Sequence, residues 1–318
     1  MKKVILTIAL TFMLFGMSNM IVYAEELKTD TQKTEATITE TNFPNEYVRQ
    51  IVKDKIDKNN DNILQESEIN AVTKLSIPAQ EAADEGVGDY EASVYEIIDC
   101  KGLEYFTNLR ELYIYVDWKS NQSGLKNFNK VYQLKKLTKL TVYGDAKVKK
   151  WRLDKLPNLK ELTLTTVSKV KKIRFGTKIE KLKLYNVSGT ANVNLSKAKK
   201  LEKIWARDYN LKKLNFGTNK NLRRINIWST SGNVNKTIKS IDVSGLKNLK
   251  YLNLTGMENL KQVKFGKNKK LKRVWINAGK KIKEIDFKDY RISKVVCLNK
   301  GVKVKNLWSR YKGLLQFL

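Results

Sequence analysis

The sequence predicts an α/β but β-rich solenoid, with coils of about 22 residues, two short strands per coil and a small helical N-terminal cap. Three observations predict it. An apolar triplet spaced i, i+3, i+5 recurs with an eleven-residue offset from Ile238 to Phe287: Ile238/Ile241/Val243, Leu249/Leu252/Leu254, Leu260/Val263/Phe265, Leu271/Val274/Ile276 and Ile282/Ile285/Phe287. The same pattern runs upstream to Leu109/Leu112/Ile114, with an interleaved series that includes Val148/Trp151/Leu153 and Val170/Ile173/Phe175. Finally, residues 25–104 carry 19 acids against 8 bases, net −11, whereas residues 105–318 carry 13 against 52, net +39.

The i, i+2 tail of each triplet suits a short strand that buries alternate side chains. A unit of this length cannot enclose a core by itself, so copies must stack. Two strand segments in about 22 residues leave little chain for a helix on the back of each coil.

Taken in order, residues 1–24 read as a secretory signal peptide: two lysines, an apolar run and a small-residue site at Val22-Tyr23-Ala24. No later stretch is long and apolar enough to span a bilayer after cleavage. Residues 25–42 are polar and Thr-rich, which predicts a disordered leader. Residues 43–104 form the expected helical cap. Within it, "DKNNDNILQESE" places Asp57, Asn59 and Asp61 at positions 1, 3 and 5, the Ile63 carbonyl at 7 and Glu68 at 12. That is the oxygen spacing of an EF-hand-like loop, which predicts a structural Ca2+ ion as cofactor. Asn62 stands at position 6 in place of Gly, and Asn is the next best residue for a left-handed backbone. "PNEYVRQIVKDKI" and "ESEINAVTKL" fit flanking helices, with Tyr47, Ile51 and Ile56 toward one face. Residues 78–100 are acidic and Gly-containing, as a loop would be. The solenoid is expected over 105–300 and a C-terminal cap over 301–318, because an open solenoid end needs covering.

The L-x-x-L-x-L spacing resembles a leucine-rich repeat. Together with "IDVSGLKNLKYLNL" and the linkers "FGTNKNLRRINI" and "FGKNKKLKRVWI", it is similar to secreted bacterial leucine-rich-repeat proteins of the internalin-like and related families. The resemblance departs at the turn after the strand, where Met257 stands in place of the usual buried Asn or Cys. It implies a non-catalytic scaffold on the cell surface or beyond it, adhesive toward a host-surface or cell-envelope target. It carries over no binding residue.

Alternation identifies the outward positions of the first strand series. They include Tyr113 and Tyr115, Tyr143, Lys181, Lys183 and Tyr185, Lys203, Trp205 and Arg207, Arg224 and Trp228, Tyr251, Arg273 and Trp275. The interleaved series exposes polar residues and almost no aromatics. Rings beside Arg and Lys on one face suit recognition of an extracellular protein or an anionic glycan or cell-wall polymer. Cross-strand packing is the competing explanation for the same rings. The net charge of +30 also allows purely electrostatic retention on teichoic-acid-like polyanions. Export argues against nucleic acid. There is no histidine, and Cys100 and Cys297 lie at opposite ends of the repeats, too far apart to bridge. A glycan-acting enzyme built on Glu111 and Glu161 is the remote alternative, since acids at exposed repeat positions arise by chance.

Overall fold

The computed structural model describes residues 35–77, 97–116, 124–189, 192–208, 210, 212–230, 235–279, 281–290, 295–307 and 315–317. The expected signal peptide, most of the leader and the acidic loop over 78–96 lie outside them.

The chain forms a β-rich solenoid whose front is one parallel sheet of eleven strands. With strands numbered in chain order, β1 (Ala36–Thr37) and β2 (Ile63–Leu64) belong to the cap. The front sheet is β3 (Lys74–Ile77), β5 (Glu111–Tyr115), β7 (Lys139–Tyr143), β9 (Glu161–Thr165), β11 (Lys181–Tyr185), β13 (Lys203–Arg207), β15 (Arg224–Trp228), β17 (Tyr251–Met257), β19 (Arg273–Ala278), β21 (Val295–Leu298) and β23 (Leu315–Phe317). Three-residue strands form most of the back: β4 (Ile97–Asp99), β6 (Gly124–Lys126), β8 (Lys150–Arg152), β10 (Lys172–Arg174), β12 (Asn192–Asn194), β14 (Lys213–Asn215), β16 (Ser240–Asp242) and β18 (Gln262–Lys264). The longer β20 (Glu284–Tyr290) and β22 (Lys303–Leu307) complete it. Back strands pair in parallel as separate couples, such as β8 with β10 and β16 with β18.

Register follows the triplets. Leu182 stands beside Leu162 and Ile204, and Leu252 beside Ile225 and Val274. The core is therefore a stack of apolar rungs, with Trp151, Phe216 and Phe287 filling it from the back strands and their turns. The sheet begins earlier than the sequence suggested. Leu75 and Ile77 of β3 already form a rung inside the segment read as cap, and β4 begins the back. At the other end, β22 and β23 continue the solenoid through residues read as a C-terminal cap. The causes differ: Val72/Leu75/Ile77 is a triplet of the expected kind but stands 37 residues before Leu109, off the 22-residue step, while β22 and β23 show alternation without a triplet.

The turn after the strand is apolar where standard repeats place Asn: Val167, Val187 and Met257 are fully buried there. Asparagines act elsewhere. Asn219 and Asn268, the Asn of the two F-G-x-N linkers, are buried. Asn219 donates to the Ala198 carbonyl at 2.6 Å, and Asn268 to the Val243 and Leu246 carbonyls at 2.8 and 2.9 Å. A second set, Asn158, Asn221 and Asn248, donates from just before a front strand to the Lys135, Lys199 and Lys220 carbonyls of the preceding coil. Each satisfies a turn carbonyl that no strand ladder reaches. Gly144, at φ 99°, turns the chain after β7, where any Cβ would sit 1.7 Å from the Val116 carbonyl oxygen.

The cap holds two short helices, α1 (Glu46–Ile51) and α2 (Glu66–Ala71), with a π-turn over Val52–Ile56. Asn45 caps α1 by accepting from the Val48 N–H and donates to the Ile97 carbonyl of β4 at 3.0 Å, tying cap to coil. Val48, Ile51 and Val52, spaced i, i+3, i+4, form the buried face. Tyr47, expected there, is instead 40% exposed, because Val48 takes the inward register. Order also starts before the expected end of the leader. Ala36 and Ile38 are buried, β1 pairs antiparallel with β2, and Phe43 packs against Tyr105 and Phe106.

Candidate functional site

Alternation puts three outward positions on each five-residue front strand, and parallel pairing aligns them into three columns. The first runs Glu111, Lys139, Glu161, Lys181, Lys203, Arg224, Tyr251, Arg273. The second passes Tyr113, Thr141, Thr163, Lys183, Trp205, Asn226, Asn253 and Trp275, and the third Tyr115, Tyr143, Thr165, Tyr185, Arg207 and Trp228.

The rings face the cations of neighbouring strands. Arg207 stands between Tyr185 and Trp228, its guanidinium 5.4 Å from each ring centre. Tyr251 stands between Arg224 at 4.4 Å and Arg273 at 6.0 Å. Trp205 has the Lys183 and Lys203 ammonium groups at 5.9 and 6.0 Å. Such pairs stabilise by roughly 0.5–1 kcal/mol each at an exposed site. Tyr115 and Tyr143 pack ring on ring at 6.1 Å. Burial pushes the Tyr185 hydroxyl pKa upward, against the opposing charge of Arg207. Cross-strand packing and outward display are thus both present: the rings are half-buried and brace the cations. Trp275 is the exception, 42% exposed at the C-terminal end.

Tyr113 departs from the expected display. It is 8% exposed, donates its hydroxyl to Glu111 at 2.7 Å, and lies under the Lys74 and Lys139 ammonium groups. Long lysine stems from both neighbouring strands cover it. Glu111 is thereby engaged, and Glu161 is ion-paired with Lys181.

Charge divides the sheet. Through β9 the first column alternates in sign. In the front halves of the β15, β17 and β19 coils, residues 219–230, 245–257 and 266–279 hold ten bases and no acid. Among the described residues, Lys203, Arg224 and Arg273 have no carboxylate within ion-pair distance. Behind these coils, residues 231–244, 258–265 and 280–290 hold five acids against eight bases, with Lys264–Asp242, Lys236–Glu258, Lys288–Asp286 and Lys305–Glu284 paired, whereas the earlier back segments 187–199 and 209–218 hold four lysines and no acid. This asymmetry was not legible in the strand pattern; counting acids coil by coil, front and back separately, reveals it.

The cap loop keeps its ligand residues close but bonds them to itself. Asn62 is left-handed at φ 62°, as its position requires, and Asn60 likewise at φ 59°. Asp57 is 4% exposed; its Oδ2 accepts the Asn62 N–H at 3.0 Å, while its buried Oδ1 has no hydrogen-bond partner. Asp61 accepts from Asn59, Ile63 N–H and Gln65. Glu68 accepts the Lys58 and Gln65 N–H groups at 2.6 and 3.0 Å. Among the described residues no three His, Cys, Asp or Glu side chains are gathered closely enough to hold a metal. Cys100 is buried as a free thiol, its pKa pushed up by desolvation and the nearby Asp99 and Glu104.

The architecture defines a leucine-rich-repeat-type solenoid. No protein-family model matches the chain, and no curated protein matches it. Solved structures similar to it include three Listeria internalins. Internalin C2 of Listeria monocytogenes strain 4b F2365 is 16% identical, over 73% of this chain and 98% of its own, at TM-score 0.32. Internalin inlF of the same strain is 14% identical, over 86% and 98%, at 0.25. The functional domain of InlJ from Listeria monocytogenes, which includes a cysteine ladder, is 14% identical, over 87% and 72%, at 0.30. No helix among the described residues is long and apolar enough to cross a membrane.

Proposed function

We propose that the protein is an exported, non-catalytic binding protein whose working surface is the front sheet from β11 to β19. One observation supports this above the rest: aromatics and unpaired cations share that surface, while the back strands β12 to β18 present no outward ring and, behind β17 and β19, carry acids paired with lysines. Lysines serving solubility alone would be indifferent to face. The test is binding of labelled protein to isolated bacterial cell walls and to animal cells, at low and high salt. W205A/W228A/W275A should abolish binding, and K150A/K172A/K213A on the back should preserve it. Equal losses in both variants, with binding that disappears in high salt, would replace this reading with uniform electrostatic retention on wall polyanions.

A second reading concerns the cap, where the unpartnered, buried Asp57 Oδ1 supports a Ca2+ site. Asp57, Asn59, Asp61, the Ile63 carbonyl and Glu68 would hold the ion. Asp61 and Glu68 would exchange their present N–H partners for it. Calcium would supply the positive charge that the buried Asp57 oxygen lacks and lock the loop that pairs β2 with β1. Equilibrium dialysis with 45Ca and thermal unfolding with and without calcium test this. Saturable binding with a raised Tm, both lost in D57N, is the expected outcome; a loop that ignores calcium closes by its own hydrogen bonds.

A further inference from the structure

Resting on that reading of the front sheet, we infer that Lys203, Arg224 and Arg273, with Arg207 beside them, form a row of oxyanion subsites for a linear carboxylated or sulfated polysaccharide. The chain of sugars lies across the strands, along the solenoid axis.

Three features of the row lead there. First, its charges fall on multiples of the strand spacing. Lys203, Arg224 and Arg273 occupy one column on β13, β15 and β19, with Tyr251 between the arginines on β17. Strands lie about 4.8 Å apart, so the row is about 14 Å long, its charges one and then two strand spacings apart, and each spacing is close to the length of one sugar residue. A linear polymer repeats in that way, and the surface of a folded protein does not.

Second, the guanidinium groups are held by ring faces. Arg207 lies between Tyr185 and Trp228, and Arg224 and Arg273 flank Tyr251. A ring face beside a guanidinium attracts its charge without taking its N–H groups, which stay available for bidentate donation to a carboxylate or sulfate. Arg207 also has Asp208 near its Nε at 3.8 Å, which directs its remaining N–H groups elsewhere. The rings therefore order the cations before ligand arrives, which lowers the entropic cost of binding.

Third, the face lacks the apolar centre of a protein interface. Its rings are half-buried against cations, and Trp275 alone among its described large apolar side chains is exposed. One open indole beside an arginine row suits a sugar face stacked at the end of a bound chain. Over β15, β17 and β19 the ten bases without an acid, Arg224 and Arg273 among them, supply the attraction that brings a polyanion to the row.

The experiment titrates the full chain with heparin, polygalacturonate, inorganic polyphosphate and dextran, read by calorimetry and tryptophan emission. Wild type is compared with R224K/R273K, which keeps the charge, W275A, and the back control K150A/K172A. The expected result is saturable binding of heparin or polygalacturonate, weakened about tenfold or more by R224K/R273K and severalfold by W275A. The back control should stay within about twofold, and dextran should not bind. Equal affinity for polyphosphate, or binding indifferent to R224K/R273K, overturns the inference. If cell binding still depends on Trp205, Trp228 and Trp275 in that case, the front sheet stands as the working surface and its ligand is a protein. If cell binding ignores those tryptophans as well, the proposed function fails with it.

Discussion

The front and back of the later coils are built from the same repeat, yet they differ in charge. On the back and its turns, Asp242, Glu258, Glu284 and Asp286 each have a lysine within ion-pair distance. On the front of β15, β17 and β19 there is no acid, and rings stand where the back has carboxylates. Both faces bury the same kind of apolar rung, so the fold does not require the difference. Like charges gathered on one face oppose folding, and an arrangement that opposes folding is informative about binding. The early coils make the same point from within the front: Glu111 and Glu161 interrupt the cations there, and Tyr113 is covered.

The largest test concerns what the two faces share. Asn268→Ala leaves the Val243 and Leu246 carbonyls with only their turn N–H donors and takes the acceptor from the Gly266 N–H, and should destabilise by about 1–3 kcal/mol in urea unfolding. Asn253, half-buried on the front and bonded to Asn226, should cost well under about 1 kcal/mol on the same change. Equal costs would mean that the front polar ladder, and not the linker asparagines, holds the coils together.

A smaller effect separates the rings. Trp228→Ala removes a half-buried ring and a face of the Arg207 stack, and should cost about 1 kcal/mol. Trp275→Ala should change stability by less than about 0.5 kcal/mol, since its ring is largely exposed. Comparable losses in chemical denaturation would return the aromatics to a purely structural role.

Charge substitutions should have opposite signs on the two faces. Lys272→Glu on the front relieves like-charge repulsion and should raise stability by a few tenths of a kcal/mol at low salt, the gain fading as salt rises. Lys264→Glu on the back removes the partner of Asp242 and should lower stability by a similar amount. Thermal melts across a salt series read both. The same sign for both would show that the front field carries no strain.

The smallest effect is a pH dependence confined to the back. Lys288, the Lys288 N–H and Asn306 hold the Asp286 carboxyl at about 2, below its usual 3.8. A folded pKa below the unfolded one contributes stability that is complete above the unfolded value and lost as pH falls toward the folded one. The wild-type advantage over Asp286→Asn should therefore be present near neutrality and disappear between about pH 4 and pH 2. The uncompensated front residues offer no carboxylate to titrate in that window, so a variant such as Trp275→Ala should show no matching change.

Much of this was legible in the chain. Triplets such as Leu249/Leu252/Leu254 gave strand, register and the outward columns at once, because one period fixes both the rung and the side that faces water. The loop from Asp57 to Glu68 was legible as a turn, down to the left-handed Asn62. The strands β3, β22 and β23 were not: the Val72/Leu75/Ile77 triplet of β3 is out of step with the repeat, and the short alternation of β22 and β23 is strand evidence only once a neighbour supplies hydrogen bonds. Tyr113 was misplaced for a related reason: its covering comes from Lys74 and Lys139, distant in sequence and adjacent only through pairing.

The sequence by itself determined that the chain coils, at what period and with which residues inward, since stacking is the only way such short apolar units find a core. Tertiary structure alone decided which cations would be paired and which left open. Arg207 between Tyr185 and Trp228, and Arg224 and Arg273 around Tyr251, belong to different coils about 20 residues or more apart, and only the parallel register brings ring and guanidinium together. Periodicity sets the direction a side chain points, and its neighbour is set by the strand that arrives beside it.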